Sequence, residues 1–172
     1  MGEQPISKID NIYIDYATAN VYGKFIKNLK TSINENIDYN VIPGTMTLIK
    51  NLHSNDIKIC LNTNYPYSVM NCFMDKLDIR HMIDGCMSDN INKPFDNNVK
   101  YFMKTHNIND PQQVMCISDK ISDIKEGNEI NVKYSIGVLT GDSNFFDLKN
   151  NNSDYIFDSV NNLNHYLKYR KY

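Results

Sequence analysis

The sequence predicts an α/β domain of three layers, a parallel sheet with helices on both faces. Three observations carry this expectation. Short β-forming runs alternate with amphipathic helical stretches along the chain. No internal repeat and no long linker interrupts that alternation within the 172 residues. Three β-runs stop on a polar side chain, at Asp15, Thr63 and Asp119. In an open parallel sheet the C-terminal edge of the strands is where ligands bind.

The elements follow in order. Residues 9–14 form a first strand, with Ile12 to Ile14 as β-formers ending on Asp15. Residues 20–36 form a helix, because Val21, Phe25, Ile26, Leu29 and Ile33 recur at three- and four-residue steps while Lys24, Lys27, Asn28 and Lys30 fall largely opposite. Residues 36–42 are a link, and Pro43-Gly44 opens a second helix carrying Met46, Leu48, Ile49 and Leu52, ending near His53 to Asp56. Ile57 to Asn62 is a second strand, followed by Thr63-Asn64 and a helix opened by Pro66, with Val69, Phe73, Met74 and Leu77 on one side. Met82 to Met87 is a short strand, and a polar loop through Lys93-Pro94 leads to a helix marked by Val99, Phe102 and Met103. Val114 to Ile117 is a strand ending at Ser118-Asp119, and residues 121–130 are helical. Tyr134 to Leu139 is a strand running into Thr140-Gly141, Tyr155 to Phe157 a last strand, and Val160 to Tyr169 a last helix. Asparagine-rich stretches such as Asn150 to Asn152 read as loop.

Composition bounds the function. The chain is 41% hydrophobic and 22% charged with a net charge of −2, ordinary for a globular domain and without the basic excess of a nucleic-acid binder. No apolar run approaches the roughly 18 residues of a membrane span, and residues 1–8 carry no signal-peptide pattern. The four cysteines (Cys60, Cys72, Cys86, Cys116) form no CxxC pair, so buried free thiols in a reducing, cytoplasmic compartment are expected rather than a zinc site.

The strand-end residues make a chemical set. Asp15, Thr63 and Asp119 would share one sheet edge, and Asp123 stands four residues beyond Asp119, in the first turn of the next helix. Three clustered carboxylates repel without a cation, and Mg²⁺ is the hard, oxygen-seeking partner they suit. Thr63 can donate a hydroxyl to a phosphate oxygen and Lys93 can neutralise phosphate and acids together. A nucleophilic carboxylate, a metal, a hydroxyl and a cation are what phosphoryl transfer needs. Blander roles stand beside each: Asp119 and Asp123 as helix caps, Thr63-Asn64 as the cap of the Pro66 helix, Lys93 as a solvated loop residue, and the four histidines as surface.

The order strand–Asp15, strand–Thr63-Asn64, Lys93-Pro94 and Ile117-Ser118-Asp119-Lys120-Ile121-Ser122-Asp123 resembles the four motifs of the haloacid dehalogenase-like (HAD) hydrolase superfamily. The segments around Pro43-Gly44, Gly137 to Gly141 and Ser153 to Val160 are similar to its intervening parts, so the resemblance covers nearly the whole chain. It implies one Rossmann-like domain over residues 1–172, with residues 20–42 a short helical segment in place of a cap. It implies Asp15 as nucleophile and Mg²⁺ ligand, further ligation by the Ala17 backbone carbonyl, Asp119 and Asp123, and phosphoryl binding by Thr63, Asn64 and Lys93.

The sequence departs from the family's phosphatases at two positions. The second acid two residues after the nucleophile is Ala17, and the usual threonine two further on is Ala19. Asp15-Tyr16-Ala17 is in this respect similar to the phosphonatase branch, whose cap lysine replaces the acid, although Lys24, Lys27 and Lys30 match no such lysine. The dehalogenase branch also lacks the second acid, but it does not need the Asp119–Asp123 pair. The expected activity is therefore a Mg²⁺-dependent phosphohydrolase or phosphotransferase with weakened acid catalysis, favouring acyl or aryl phosphates. The other class is a catalytically impaired protein of the same fold that binds or regulates. The expected partners are a phosphorylated small molecule or a phosphoprotein, with a homo-oligomer allowed and neither nucleic acid nor membrane.

Overall fold

The computed structural model describes residues 16–35, 41–63, 65–87 and 98–168. The chain divides into two compact units, Met1–Ile37 and Asp38–Tyr172. The strand expected at 9–14 lies outside the described residues. In the first unit the described element is helix α1 (Tyr16–Asn34). It begins four residues before the expected start at residue 20, because Ala17 and Ala19 are strong helix formers. Ile33 is buried and Ile26 and Leu29 are half-buried, while Lys24, Lys27 and Asn28 are exposed, as the periodicity requires. Of the segment 20–42, residues 36–40 lie outside the described residues.

The second unit holds α2 (Thr45–Ser54), β1 (Cys60–Asn62), α3 (Tyr67–Lys76), β2 (Gly85–Met87), α4 (Asn98–Thr105), β3 (Met115–Ser118), α5 (Ile121–Glu129), β4 (Tyr134–Val138), α6 (Phe145–Asn150), β5 (Tyr155–Phe157) and α7 (Val160–Lys168). All described strand pairs are parallel. β1 pairs with β2, Leu61 opposite Cys86, and β3-β4-β5 form a second sheet with Ile117 opposite Ile136 and Gly137 opposite Ile156. Period-two alternation sorts the second sheet's residues between two helical layers. Met115, Ile117, Tyr134 and Ile136 pack with Leu48 of α2 and Leu163 and Leu167 of α7. Cys116 and Ser135 face α5, close to Gly127. The predicted three-layer α/β architecture is thus present, with helices on both faces of parallel strands. A second core, Ile49, Ile59, Met74, Ile79 and Met82, fills the space around β1 and α3.

The turn into α2 explains Pro43-Gly44. Thr45 N–H donates to Ile42 O at 3.1 Å, closing a turn with Gly44 at φ +90°. A type II turn takes proline second and demands positive φ third. A Cβ on Gly44 would also lie 2.6 Å from the Cα of Asn161 in α7, so the glycine lets the two helices meet. Farther along, Asn51 donates from Nδ2 to Oδ1 of the buried Asn164 at 2.8 Å, tying α2 to α7.

Three sequence expectations need correction. The strand expected from Ile57 begins only at Cys60, because the Ile59 N–H is taken by a side chain and not by a neighbouring strand. That N–H donates to Asp84 Oδ2 at 2.9 Å, and the Ile59 carbonyl accepts from Asp84 N–H, also at 2.9 Å. The strand expected from Met82 begins only at Gly85, since a 3₁₀ turn at Arg80–Met82 uses the preceding backbone. Asn150, read as loop with Asn151 and Asn152, is the last residue of α6, a helix that the sequence expectations leave out and that is too short to show periodicity. It is started by a capping box, Asn144 Oδ1 accepting from Asp147 N–H at 3.0 Å, and anchored by fully buried Leu148.

The asparagines are not filler. α2 to α6 each end with an Asp or Asn in the left-handed conformation: Asp56, Asp78, Asn107, Asn131 and Asn152, with φ between 52° and 61°. In each, the next residue's N–H reaches back five positions, as in Ile79 to Met74 and Val132 to Gly127, both within 3.1 Å. That is the Schellman closure, with Asn or Asp where glycine is commonest. Among the described residues no helix is long and apolar enough to cross a membrane.

Candidate active site

The site residues stand at strand ends, where strand geometry hands over to a helix. Thr63 follows β1 and extends its pairing, donating its N–H to Met87 O at 2.9 Å. Its Oγ1 accepts from Tyr65 N–H at 3.1 Å, so the half-buried hydroxyl is oriented and keeps its own proton to donate. It does not cap α3: Pro66 stands at that N-cap without a side-chain hydrogen bond. Asn64 and Lys93 lie outside the described residues.

Asp119 follows β3 and turns toward the loop after β4. Its Oδ2 accepts from Asp142 N–H at 3.1 Å, and the carboxylate lies where a Cβ on Gly141 would sit. Asp123 is in the first turn of α5, whose amide-rich end favours negative charge. Its Oδ2 accepts from Ser118 Oγ at 2.7 Å and its Oδ1 from Ser122 Oγ at 3.3 Å. Ser118 Oγ in turn accepts from Lys120 N–H at 3.1 Å, binding the strand end, the turn and Asp123 into one network. The capping role is thereby answered for Asp119: Lys120 occupies the N-cap with no side-chain cap bond, and Asp119 is held elsewhere.

Asn98 at the start of α4 connects the end of β1 to α5. Its side chain donates to Asn62 Oδ1 at 2.7 Å, one residue before Thr63, and its N–H to Glu126 Oε2 of α5 at 3.2 Å. The structure therefore places Asp119 and Asp123 around one β–α turn and links the Thr63 strand end to the helix of that turn. Asp15 lies outside the described residues. Ala17 is in the first turn of α1, in the other unit.

Among the described residues no three His, Cys, Asp or Glu side chains form a group fit for a metal ion; the expected set needs Asp15 as its third carboxylate. The two acids in view offer oxygen alone, and among the described residues Oδ1 of Asp119 accepts no hydrogen bond. That donor chemistry fits a hard cation such as Mg²⁺. Cys116 on β3 does not compete as nucleophile or ligand: burial, reinforced by the charges of Asp123 and Glu126, pushes its thiol up to about 12.

Sequence reasoning missed three contributors, Ser118, Gly141 and Asp142. Ser118 was visible as the first residue of a Ser-Asp-x-x-Ser-Asp run; Asp142 acts through its backbone, which no side-chain motif reveals.

The comparisons agree with the fold. A protein assigned as a phosphatase from Clostridium difficile is similar at 21% identity, TM-score 0.70, over 90% of this chain and 72% of that one. One assigned as a beta-phosphoglucomutase from Thermotoga maritima matches at 18% identity, TM-score 0.68, over 91% and 72%. A haloacid dehalogenase-like family hydrolase from Streptococcus pneumoniae matches at 19% identity, TM-score 0.69, over 88% and 69%. No curated protein matches the sequence. The family model for haloacid dehalogenase-like hydrolases matches residues 1–137. With its motifs in order and its strand-end acids held in place, the chain belongs to the haloacid dehalogenase-like hydrolase family.

Proposed function

We propose that this chain is a Mg²⁺-dependent phosphohydrolase or phosphotransferase working through an aspartyl-phosphate on Asp15. The observation that carries the reading is the fixed placement of Asp119 and Asp123 around the start of α5, each held by a hydrogen bond within 3.1 Å. Such preorganisation suits residues that hold a cation, because carboxylates left in solvent would need to be ordered on binding. Asp15, the Ala17 carbonyl, Asp119 and Asp123 would hold Mg²⁺, which when bound supplies positive charge against a phosphoryl group. The Thr63 hydroxyl, with Asn64 and Lys93, would bind phosphoryl oxygens. Cysteines present as thiols and not as disulfides suit a cytoplasmic setting.

Ala17 has no proton to give a leaving group, and general acid help is worth roughly 10²–10⁴-fold. Substrates whose leaving group departs unaided are therefore favoured, and residues 20–42 are the sequence available for a cap. The partner is a phosphorylated small molecule or a phosphoprotein. The same missing acid is what favours the second reading, a Mg²⁺-binding module without turnover.

Hydrolysis of an aryl phosphate with and without Mg²⁺ tests the reading. Turnover that needs the metal and disappears in Asp15→Asn supports it. Mg²⁺ binding by calorimetry with no turnover above Asp15→Asn supports the binding module instead. A large gain in rate on Ala17→Asp would identify the missing acid as the limiting element.

A further inference from the structure

Thr63 stands one residue past β1, a strand of three residues that pairs with β2 through Cys60–Gly85, Leu61–Cys86 and Asn62–Met87. Strand ends open more readily than strand centres, so a hydroxyl presented from one is well placed only if something outside the ladder holds the chain. Asn98 supplies that hold. Its Nδ2 donates to Oδ1 of Asn62, the residue before Thr63, at 2.7 Å. Asn98 is itself fixed. It is the first residue of α4, where a helix leaves its N–H groups without partners of its own, and its N–H donates to Glu126 Oε2 at 3.2 Å. The helix dipole favours a carboxylate at that end. α4 is packed on both sides: a Cβ on Gly85 of β2 would lie 3.2 Å from Phe102 Cδ2, and Met103 shares a core with Val114 and Val132. Glu126 stands three residues after Asp123 on α5, about one turn farther along, and Ile124 and Gly127 beside it are buried. Bonds thus run from the Thr63 strand end through Asn62, Asn98 and Glu126 to the helix that carries Asp123, all within the second unit.

We propose that Asn98 is a positioning residue for phosphoryl binding: by holding Asn62 it fixes the Thr63 hydroxyl relative to α5 without itself touching the phosphoryl group. This rests on the phosphotransfer reading above, in which Thr63 binds phosphoryl oxygens, and deepens it. Thr63 Oγ1 accepts from Tyr65 N–H, so its own proton is aimed in a set direction only while the backbone beneath it is fixed. Without the bond to Asn62 the strand end is free to shift, and the hydroxyl has to be ordered again when a ligand binds. Asp119 and Asp123 take their orientation from Asp142 N–H and Ser118 Oγ and not from α4, so binding of the cation does not depend on Asn98.

The test is a calorimetric titration of inorganic phosphate at saturating Mg²⁺, and of Mg²⁺ alone, into the wild type, Asn98→Ala, Asn62→Ala and the double variant. Phosphate affinity should fall about 3- to 10-fold in either single variant, the worth of one hydrogen bond, and no further in the double, because both changes remove the same bond. Mg²⁺ affinity should not change. Amide hydrogen exchange at Thr63 reads the hold without any ligand. It should quicken about 3- to 10-fold in both single variants, while Ile117 of β3 keeps its rate. Asn62→Asp, which retains an acceptor for Asn98 Nδ2, should keep the wild-type rate at Thr63. An unchanged Thr63 rate overturns the proposal, and so does an equal quickening at Ile117, which would make the effect one of general stability. Phosphate affinity that is unchanged in the variants, or Mg²⁺ affinity that falls with it, overturns it too. If the wild type binds no phosphate, the phosphotransfer reading alone fails, and quickened exchange at Thr63 but not Ile117 still supports the hold of Asn98 on this strand end. Asn62 is exposed, so Asn62→Ala folds and keeps the test decisive should Asn98→Ala unfold.

Discussion

The carboxylate of Asp119 occupies the space that a side chain on Gly141 would need. A Cβ built there lies 2.6 Å from the Asp119 Cβ and overlaps the carboxylate itself. Since the neighbouring Asp142 N–H donates to the same carboxylate, the β4–α6 loop and the acid are fitted as one piece. Gly141→Ala should therefore turn Asp119 away without unfolding the domain, because Gly141 is exposed. The expected result is a loss of Mg²⁺ affinity of about 10–100-fold, the usual effect of disturbing a group that orients a ligand. Calorimetric titration with Mg²⁺ beside a thermal melt checks it; an unchanged affinity would detach Asp119 from the metal.

Ser118 makes a matching prediction on the other acid. Its hydroxyl donates to Asp123 at 2.7 Å and accepts from Lys120 N–H. Ser118→Ala removes both bonds, at about 0.5–1.5 kcal/mol for the hydrogen bond to a neighbour and more where a charge is involved. Mg²⁺ affinity should fall by less than in Gly141→Ala, since Asp123 retains Ser122. Titration of the two variants side by side ranks them, and a larger loss in Ser118→Ala would reverse the assigned importance of the acids.

Cys116 should be the least reactive thiol among the four. Burial first, then Asp123 and Glu126, raise its ionisation to about 12. A thiol raised in the fold ionises more readily when unfolded, so the neutral form's stabilisation is complete below the unfolded value near 8.5 and is lost as pH rises toward 12. Cys72 and Cys116 are both half-buried, so it is the raised ionisation of Cys116 that should make iodoacetamide at pH 8 label Cys72 before Cys116, and denaturant midpoints should fall above pH 9. Early modification of Cys116, read by peptide mass, would contradict the placement.

Gly127 and Ser135 predict a packing coupling. A Cβ on Gly127 would lie 2.8 Å from Ser135 Oγ and 3.1 Å from Cys116 Sγ, and Ser135 Oγ is buried without a hydrogen-bond partner. Gly127→Ala gains up to about 1 kcal/mol of helix propensity but overpacks this contact, typically at 1–3 kcal/mol. Ser135→Ala removes both the crowding atom and an unsatisfied hydroxyl, and should be neutral or stabilising. The double variant should be more stable than the two single effects add to, by about 0.5 kcal/mol or more, in a denaturant double-mutant cycle. Strict additivity would mean that the hydroxyl does not limit the approach of α5 to β4.

Apart from α6, the order of elements was legible because amphipathic stripes and β-runs alternate from Val21 to the last helix. The exact strand starts were not. At β1 and β2 this is because Asp84 takes the place of a ladder partner at the Ile59 N–H, whereas Asp154, which accepts from the Ser135 N–H at 2.7 Å and donates to its carbonyl at 2.8 Å, leaves the expected starts of β4 and β5 where the sequence put them. Such side-chain substitution for a ladder bond leaves no periodic trace. Asp119 and Thr63 were found because each follows a β-run, and Asp123 because it stands four residues beyond Asp119, whereas Gly141 and Asp142 act through missing bulk and a backbone N–H. α6 escaped because its six residues bury a single leucine.

The left-handed helix ends supply the last prediction. Asn107 and Asn131 sit at φ 55° and 57°, just past α4 and α5, where L-residues other than Asn, Asp and Gly pay about 1–2 kcal/mol. Asn tolerates the conformation because its short side chain can bond locally. Asn131→Gly should therefore be near neutral, the relief of Cβ strain opposing the greater freedom of the unfolded chain. Asn131→Ala should lower Tm by roughly 2–4 °C for each kcal/mol lost in a domain of this size. The next residues, Ile108 and Val132, add apolar contacts in the same core as Met103 and Val114, so the left-handed turn is also what aims them inward. Melting curves of the Ala and Gly variants decide the point: equal losses would show that the Asn131 side chain matters for a contact, and a loss confined to alanine would show that it matters for the turn.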